Sequence, residues 1–221
     1  MHPDDEALAT GGLLQNAAAA GAAIRVIFIT DGDNNPWPQR VIERRWRIGA
    51  ADRVRWGARR RAEALASLAC LGIAAENAVF WGYPDQGLTE ILLKESKSIA
   101  DRIRAEISSW QPTLLVSPSL HDLHPDHNAL GVLVRFARKQ FEPAPQGLRE
   151  ISYLVHYQQT VLPAHNLIQC FLLPEQRTIK SQAIMCHKTQ MVLSHRLAKH
   201  SCISQPMPRP AAAHVTVLIS P

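Results

Sequence analysis

The sequence has no apolar run approaching the roughly 18 residues that a membrane-spanning helix needs. Its start, Met-His-Pro-Asp-Asp-Glu, is acidic where a secretory leader would be basic and then apolar, so no leader is expected. Its four cysteines, Cys70, Cys170, Cys186 and Cys202, are scattered without a CxxC pair. That spacing speaks against a thiolate metal site or a disulfide framework, and implies buried or free thiols in a reducing compartment. A cytoplasmic protein is expected. Internal repeats and low-complexity tracts are absent, apart from short alanine runs.

What is present is a chain of 221 residues with 46% hydrophobic content, enough for one large domain. The expected domain spans 1–221, with 191–221 as a C-terminal extension. The net charge of +5 is unevenly placed, because nine arginines fall between Arg40 and Arg61, with Trp46 and Trp56 among them. Nucleic acid, an anionic membrane surface or a phosphorylated substrate could each use such a segment. An exposed helical face, with arginine stems lying over apolar neighbours, explains most of it more simply. The tryptophans are too few to argue for nucleic acid, and no specific nucleic-acid binding is expected.

Strands and helices alternate along the chain. Strands are expected at Ile24–Thr30, Val79–Trp81 and Leu114–Ser117, then at Ile151–Tyr157, Ile168–Leu173 and Val215–Ile219. Helices are expected over Ala7–Ala20, over Arg53–Leu71 with Leu65, Leu68 and Ala69 on its buried stripe, and around Ile99, Ile103 and Ile107 up to Trp110. A further helix has Ala129, Leu133 and Phe136 as its stripe, another covers Glu175–Leu197, and Pro206–Pro210 reads as a linker. This order predicts an α/β fold with a mostly parallel sheet. Ligands of such sheets bind beyond the carboxyl ends of the strands, where Asp31–Pro36, Gly82–Gly87 and His121–His127 fall.

Two of these regions concentrate metal-ligand chemistry. His2-Pro3-Asp4-Asp5-Glu6 precedes Gly11-Gly12, and His121-Asp122-Leu123-His124-Pro125-Asp126-His127 follows the third strand. Crowded carboxylates disfavour folding unless positive charge sits among them, and a divalent ion supplies it. His2, Asp5 and His127 would give two imidazoles and one carboxylate, leaving positions open for water and substrate. Asp4 would then be a free carboxylate, suited to accept a proton from that water. His124 could stabilise an oxyanion or pass a proton to a leaving amine, and Asp126 could orient a histidine. Helix capping alone would explain Asp4 and Glu6. The second cluster tips the balance towards a metal site. His156, His165, His195, His200 and His214 read as surface or satisfied core residues. Two histidines and a carboxylate also suit Fe(II) oxygenases, but those favour β-rich barrels over this strand–helix alternation.

These motifs resemble the signatures of the LmbE/PIG-L family of zinc-dependent N-acetylglucosaminyl deacetylases: His2–Glu6 with Gly11-Gly12, and His124–His127. The resemblance extends to Thr30-Asp31-Gly32, to Arg60–Leu65 with Leu71-Gly72, to Gly82–Leu88 and to Cys186–Gln190, and covers about residues 2–190. It implies a Rossmann-like sheet with flanking helices and removal of an N-acetyl, or other N-acyl, group from an amino sugar or glycoconjugate. By the same resemblance the metal, Zn2+ or another divalent ion such as Fe2+, is held by His2, Asp5 and His127. It makes Asp4 the base and His124 the electrostatic or acid group, places Arg60 and Asp85 on sugar hydroxyls, and puts His187 near the site. Family members carry an apolar first strand before this motif, whereas only Met1 precedes His2 here. Either the chain is truncated, which is the expectation, or another segment fills that slot. With Met1 as the true terminus, weak metal affinity or poor folding is expected, correctable by restoring an apolar strand upstream. The alternative function is an inactive or truncated family member that binds through Arg40–Arg61.

Overall fold

A computed structural model describes residues 2–141, 147–156, 167–191 and 215–218, the strand residues 167–169 and 215–218 by their backbone alone. The expected linker at 206–210 and the helix beyond 191 lie outside the described residues. Two compact units are present, one of His2–Asp85 and Cys170–Val215, the other of Gln86–Gln169 and Thr216–Pro221.

In the first unit, α1 (Asp5–Leu8) and α2 (Gly11–Ala19) replace the single helix expected there. The chain breaks at Thr10, whose hydroxyl donates to the Glu6 carbonyl at 3.0 Å and whose own carbonyl starts α2. Strands β1 (Val26–Thr30) and β2 (Ala78–Tyr83) pair in parallel, so their carboxyl ends and the loops after them share one edge. Phe28 and Phe80, opposite each other in the register, stack at 4.8 Å. Helix α3 (Pro36–Glu43) starts at Pro36, the last residue of an expected loop. Its prolines look like breakers, but proline is favoured at a helix start, and the Asn35 side chain accepts the Trp37 N–H there. Helix α4 (Ala50–Cys70) packs against α8 (Pro174–Cys186).

The buried face of α4 differs from its apolar stripe. It is Trp56, Gly57, Arg60, Glu63, Ala64, Ser67 and Leu68, whereas Ala69 is exposed and Leu65 half-buried. The spacing is helical, but two of these side chains are charged, so hydropathy places the face one residue off.

In the second unit, α5 (Leu88–Lys94), α6 (Ser96–Trp110) and α7 (Pro125–Lys139) pack together beside β3 (Leu114–Pro118). The core includes Ile99, Ile103 and Ile107 as expected, with Leu130, Leu133, Val134 and Tyr153. Phe136 is 41% exposed, and the buried face of α7 instead runs through Ala129, Leu130, Leu133 and Ala137. A Cβ at Gly131 would lie 2.8 Å from the Pro118 carbonyl, so glycine lets α7 settle on the end of β3.

Strand β4 (Arg149–Tyr153) runs parallel to β3 in continuous register, Ser117 opposite Ser152. With β5 (Leu167–Cys170) and β6 (Val215–Leu218) they form a sheet of order β3-β4-β6-β5, in which β6 is antiparallel to β4. The architecture is mixed α/β as expected. The strands form two sheets rather than one, because hydrophobic runs identify strands without fixing their partners.

Candidate active site

In the first unit the His2–Glu6 turn is tied down from three directions. Asp5 accepts the His2 backbone N–H at 2.7 Å, and Glu6 accepts that of Asp4 at 2.9 Å. Asp4 itself has φ 127°, a conformation that costs a non-glycine residue strain. Arg60, buried on α4, donates through Nη2 to the Pro3 carbonyl at 2.5 Å and through Nη1 to the Gly32 carbonyl at 2.7 Å. The same Nη2 lies 3.3 Å from the Asp4 carboxylate. Burial pushes the Asp4 carboxyl up to about 6, against the opposing pull of Arg60.

Arg60, expected on a sugar hydroxyl, bonds the backbone of the turn and of the β1 loop in this structure. Gly32 makes that possible. It has φ 62°, and a Cβ there would lie 1.8 Å from Arg60 Nη1.

His2 lies between two carboxylates, with Nδ1 3.6 Å from Asp5 and Nε2 3.1 Å from Asp85. Asp85 also accepts the Asn34 backbone N–H at 2.9 Å. Burial pushes its carboxyl up, but the bonds from His2 and Asn34 and the charge of Arg60 hold it below its ordinary value. Below the turn, the fully buried Glu6 bonds His187 Nε2 at 2.6 Å. That gives His187, placed near the site without a role, a defined partner. Burial lowers the imidazole's proton affinity, Glu6 raises it, and the net shift is upward. Glu63 on α4 accepts both the backbone N–H and the hydroxyl of Thr189. The segment after α8 is thereby anchored at two points.

In the second unit the parallel β3 and β4 end side by side, and their loops bring three imidazoles together. The rings of His124 and His127 are 4.8 Å apart, and His156 lies 5.6 and 5.7 Å from them. Asp122 organises this group. Its carboxylate accepts the backbone N–H groups of His124 and Val155, at 2.9 and 2.8 Å, and stands 3.1 Å from His127 Nδ1. Burial would raise its pKa, but these partners hold it far below the ordinary carboxylate range. A carboxylate on Nδ1 turns that side of the His127 ring towards Asp122 and leaves Nε2 as the nitrogen facing away from it.

His124 caps α7 by accepting the Asp126 backbone N–H on Nδ1 at 3.3 Å, which assigns the proton to Nε2. Asp126, expected to orient a histidine, accepts the backbone N–H groups of Gln86 and Leu88 at 2.8 and 3.1 Å and so holds the loop before α5. Sequence reasoning missed Asp122 and His156. Asp122 was visible inside the cluster, but its importance rests on partners brought by β4. His156 was placed inside a strand that ends earlier, at Tyr153.

The fit to a divalent ion differs between the units. The first sets His2 between two carboxylates, one on each ring nitrogen. In the second, single donor atoms of Asp122, His127 and His156 all lie within 4.8 Å of one another. The basic segment reads mostly as expected, since Arg44, Arg45, Arg47, Arg53, Arg55 and Arg59 are exposed and Arg60 alone is buried. Arg45 and Arg55 are paired with Asp52, and Arg55 also with Glu43.

Over residues 1–137, more than half of the chain, the sequence matches the family described as GlcNAc-PI de-N-acetylase, PIG-L. The chain belongs to the PIG-L family. It is 31% identical over 141 residues to the 1D-myo-inositol 2-acetamido-2-deoxy-α-D-glucopyranoside deacetylase of Mycobacterium sp. (strain KMS). That match covers 57% of this chain and 44% of the relative, so the chain spans less than half the length of the curated relatives it matches. A crystal structure of a deacetylase from the teicoplanin biosynthesis pathway has a TM-score of 0.66 at 22% identity, covering 90% of this chain and 89% of that one. The 4-carboxy-2-hydroxymuconate hydratase of Pseudomonas putida reaches 0.59 at 17% identity, covering 99% and 92%. At these identities the likeness concerns the fold, which serves a hydratase as well as a deacetylase. The His2–Glu6 and His121–His127 segments fall inside the matched PIG-L stretch, and His156 and His187 fall outside it. Among the described residues no helix is long and apolar enough to cross a membrane.

Proposed function

We propose that this PIG-L member is a metal-dependent N-deacetylase acting on an N-acetylated amino sugar or glycoconjugate. His2, Asp5 and His127 hold the ion in this reading, with zinc the first candidate and Fe2+ the second. When bound, the ion would acidify a water molecule and polarise the acyl carbonyl. Asp4 takes the proton as the water oxygen adds to that carbonyl. His124, with its proton on Nε2, donates to the oxygen as charge develops there. The C–N bond then breaks, a proton passes to the nitrogen, and the products are a free amine and a carboxylate. Arg60 and Glu6 act beneath this chemistry, fixing the position of Asp4. Asp122 fixes His127, and Asp85 orients His2.

The observation that carries this reading is Asp4, a half-buried carboxylate held at a strained φ by Arg60 and Glu6. Strain of this kind persists where surrounding bonds enforce it, and it clusters at reactive sites. Removing a general base typically costs about 10²–10⁴-fold in rate. Asp4→Asn is expected to lose deacetylation of N-acetylglucosamine conjugates to that extent, followed as acetate release, while elemental analysis finds its metal content unchanged. Full activity in Asp4→Asn would overturn the assignment.

A further inference from the structure

Cys70 ends α4 and Cys186 ends α8, and these two helices pack against each other. Both thiols are free, Cys70 exposed and Cys186 half-buried. Their sulfurs are 3.7 Å apart although 116 positions separate the residues in sequence. A disulfide has an S–S distance of about 2.05 Å, so small side-chain adjustments would close the gap. Nothing in the cysteine spacing announces this pair, which the fold creates.

We propose that Cys70 and Cys186 form a reversible disulfide under oxidising conditions, clamping the C-terminal ends of α4 and α8. With a small-molecule disulfide RSSR as oxidant, the exposed Cys70 thiolate attacks one sulfur and displaces RS⁻. Cys186, as thiolate, then attacks Cys70 Sγ in the mixed disulfide and displaces the second RS⁻. The two cysteine protons end on two RSH, and the two electrons lost by the cysteines reduce RSSR.

Cys186 lies at a helix C-terminus, where the negative end of the dipole disfavours a thiolate. Burial and the neighbouring thiol push the Cys186 thiol up as well. The pair therefore answers the steady redox poise of its surroundings and reacts slowly, unlike a rapid peroxide sensor. Its position gives the bridge a consequence. His187 follows Cys186 directly and bonds Glu6 inside the His2–Glu6 turn, so the bridge fixes the backbone from which that imidazole projects. None of this depends on the proposed deacetylase reading.

The test incubates the full chain with oxidised glutathione, then maps peptides without reduction and measures thermal unfolding. A Cys170→Ser/Cys202→Ser double variant removes competing thiols. The expected result is a peptide linking Cys70 to Cys186 in both proteins. A loop this long also predicts a rise in Tm of about 5–15 °C, reversed by dithiothreitol. Cys70→Ser, at an exposed position, is expected to fold and to show no rise. The proposal is overturned if the linked peptide is missing, if oxidation yields only mixed disulfides, or if Cys70→Ser keeps the rise. A bridge that forms without raising Tm overturns the clamp.

Discussion

Arg60 and Gly32 show how much of the turn's geometry rests on two positions. The guanidinium lies where a β-carbon at residue 32 would stand, and it holds two backbone carbonyls together. Gly32→Ala must expel Arg60 and also place alanine at φ 62°, so a loss of about 2–4 kcal/mol of stability is expected in urea unfolding. A loss below 1 kcal/mol would show that the turn survives without this anchor.

The Glu6–His187 pair gives a second expectation, with a sign. The histidine's folded pKa lies above its unfolded value of 6.5, so the folded state binds more protons in the window between them. The stabilisation is full below pH 6.5 and fades as pH rises through the folded pKa. The stability gap between wild type and His187→Gln is therefore expected to shrink as pH rises through that window, measured by urea titrations at stepped pH. A constant gap would contradict it. The two acid and histidine clusters were legible as residues. The roles of Arg60, Glu6 and Asp122 were not, since each works on backbone groups or partners far away in sequence.

At the scale of elements, polar side chains decide what hydropathy cannot. The buried face of α4 includes Arg60, Glu63 and Ser67, so a stripe read from leucines and alanines falls beside the true one. Helix α8 holds the opposite case. Lys180 is buried at 7% exposure, and its aliphatic stem lies where a Cβ on Gly11 would come within 3.4 Å. Burial lowers its pKa below 10.5. The unfolded chain then binds more protons between the folded pKa and 10.5, and the lysine's cost is fully present below that window. Lys180→Met keeps the packing and removes the charge, so a gain of about 1 kcal/mol at neutral pH is expected from thermal melts. A loss would mean that the ammonium has a favourable partner.

Among the described residues, the runs of β-branched and apolar residues located all six strands to within a few positions, because each strand's signal is local. Pairing is not local, and the division into two sheets, with β6 antiparallel, had no mark in those runs. The metal reading makes a prediction at this scale that does not need turnover. An ion that binds only the folded chain raises Tm with its concentration. Titrating zinc into metal-free protein is expected to raise Tm, and His127→Ala to flatten that response. An unchanged response in His127→Ala would remove His127 from the ligand set.

The meeting of Gly32 and Arg60 also restricts how this sequence can drift. A larger residue at 32 evicts the guanidinium, and a shorter one at 60 leaves two carbonyls without their donor and a strained turn without its anchor. Neither position has a viable first step alone while the turn must keep its shape. A lineage that still needs Asp4 inherits both residues together. One released from that need is free to lose them in either order, so the state of this pair in a descendant records whether the turn was still in use.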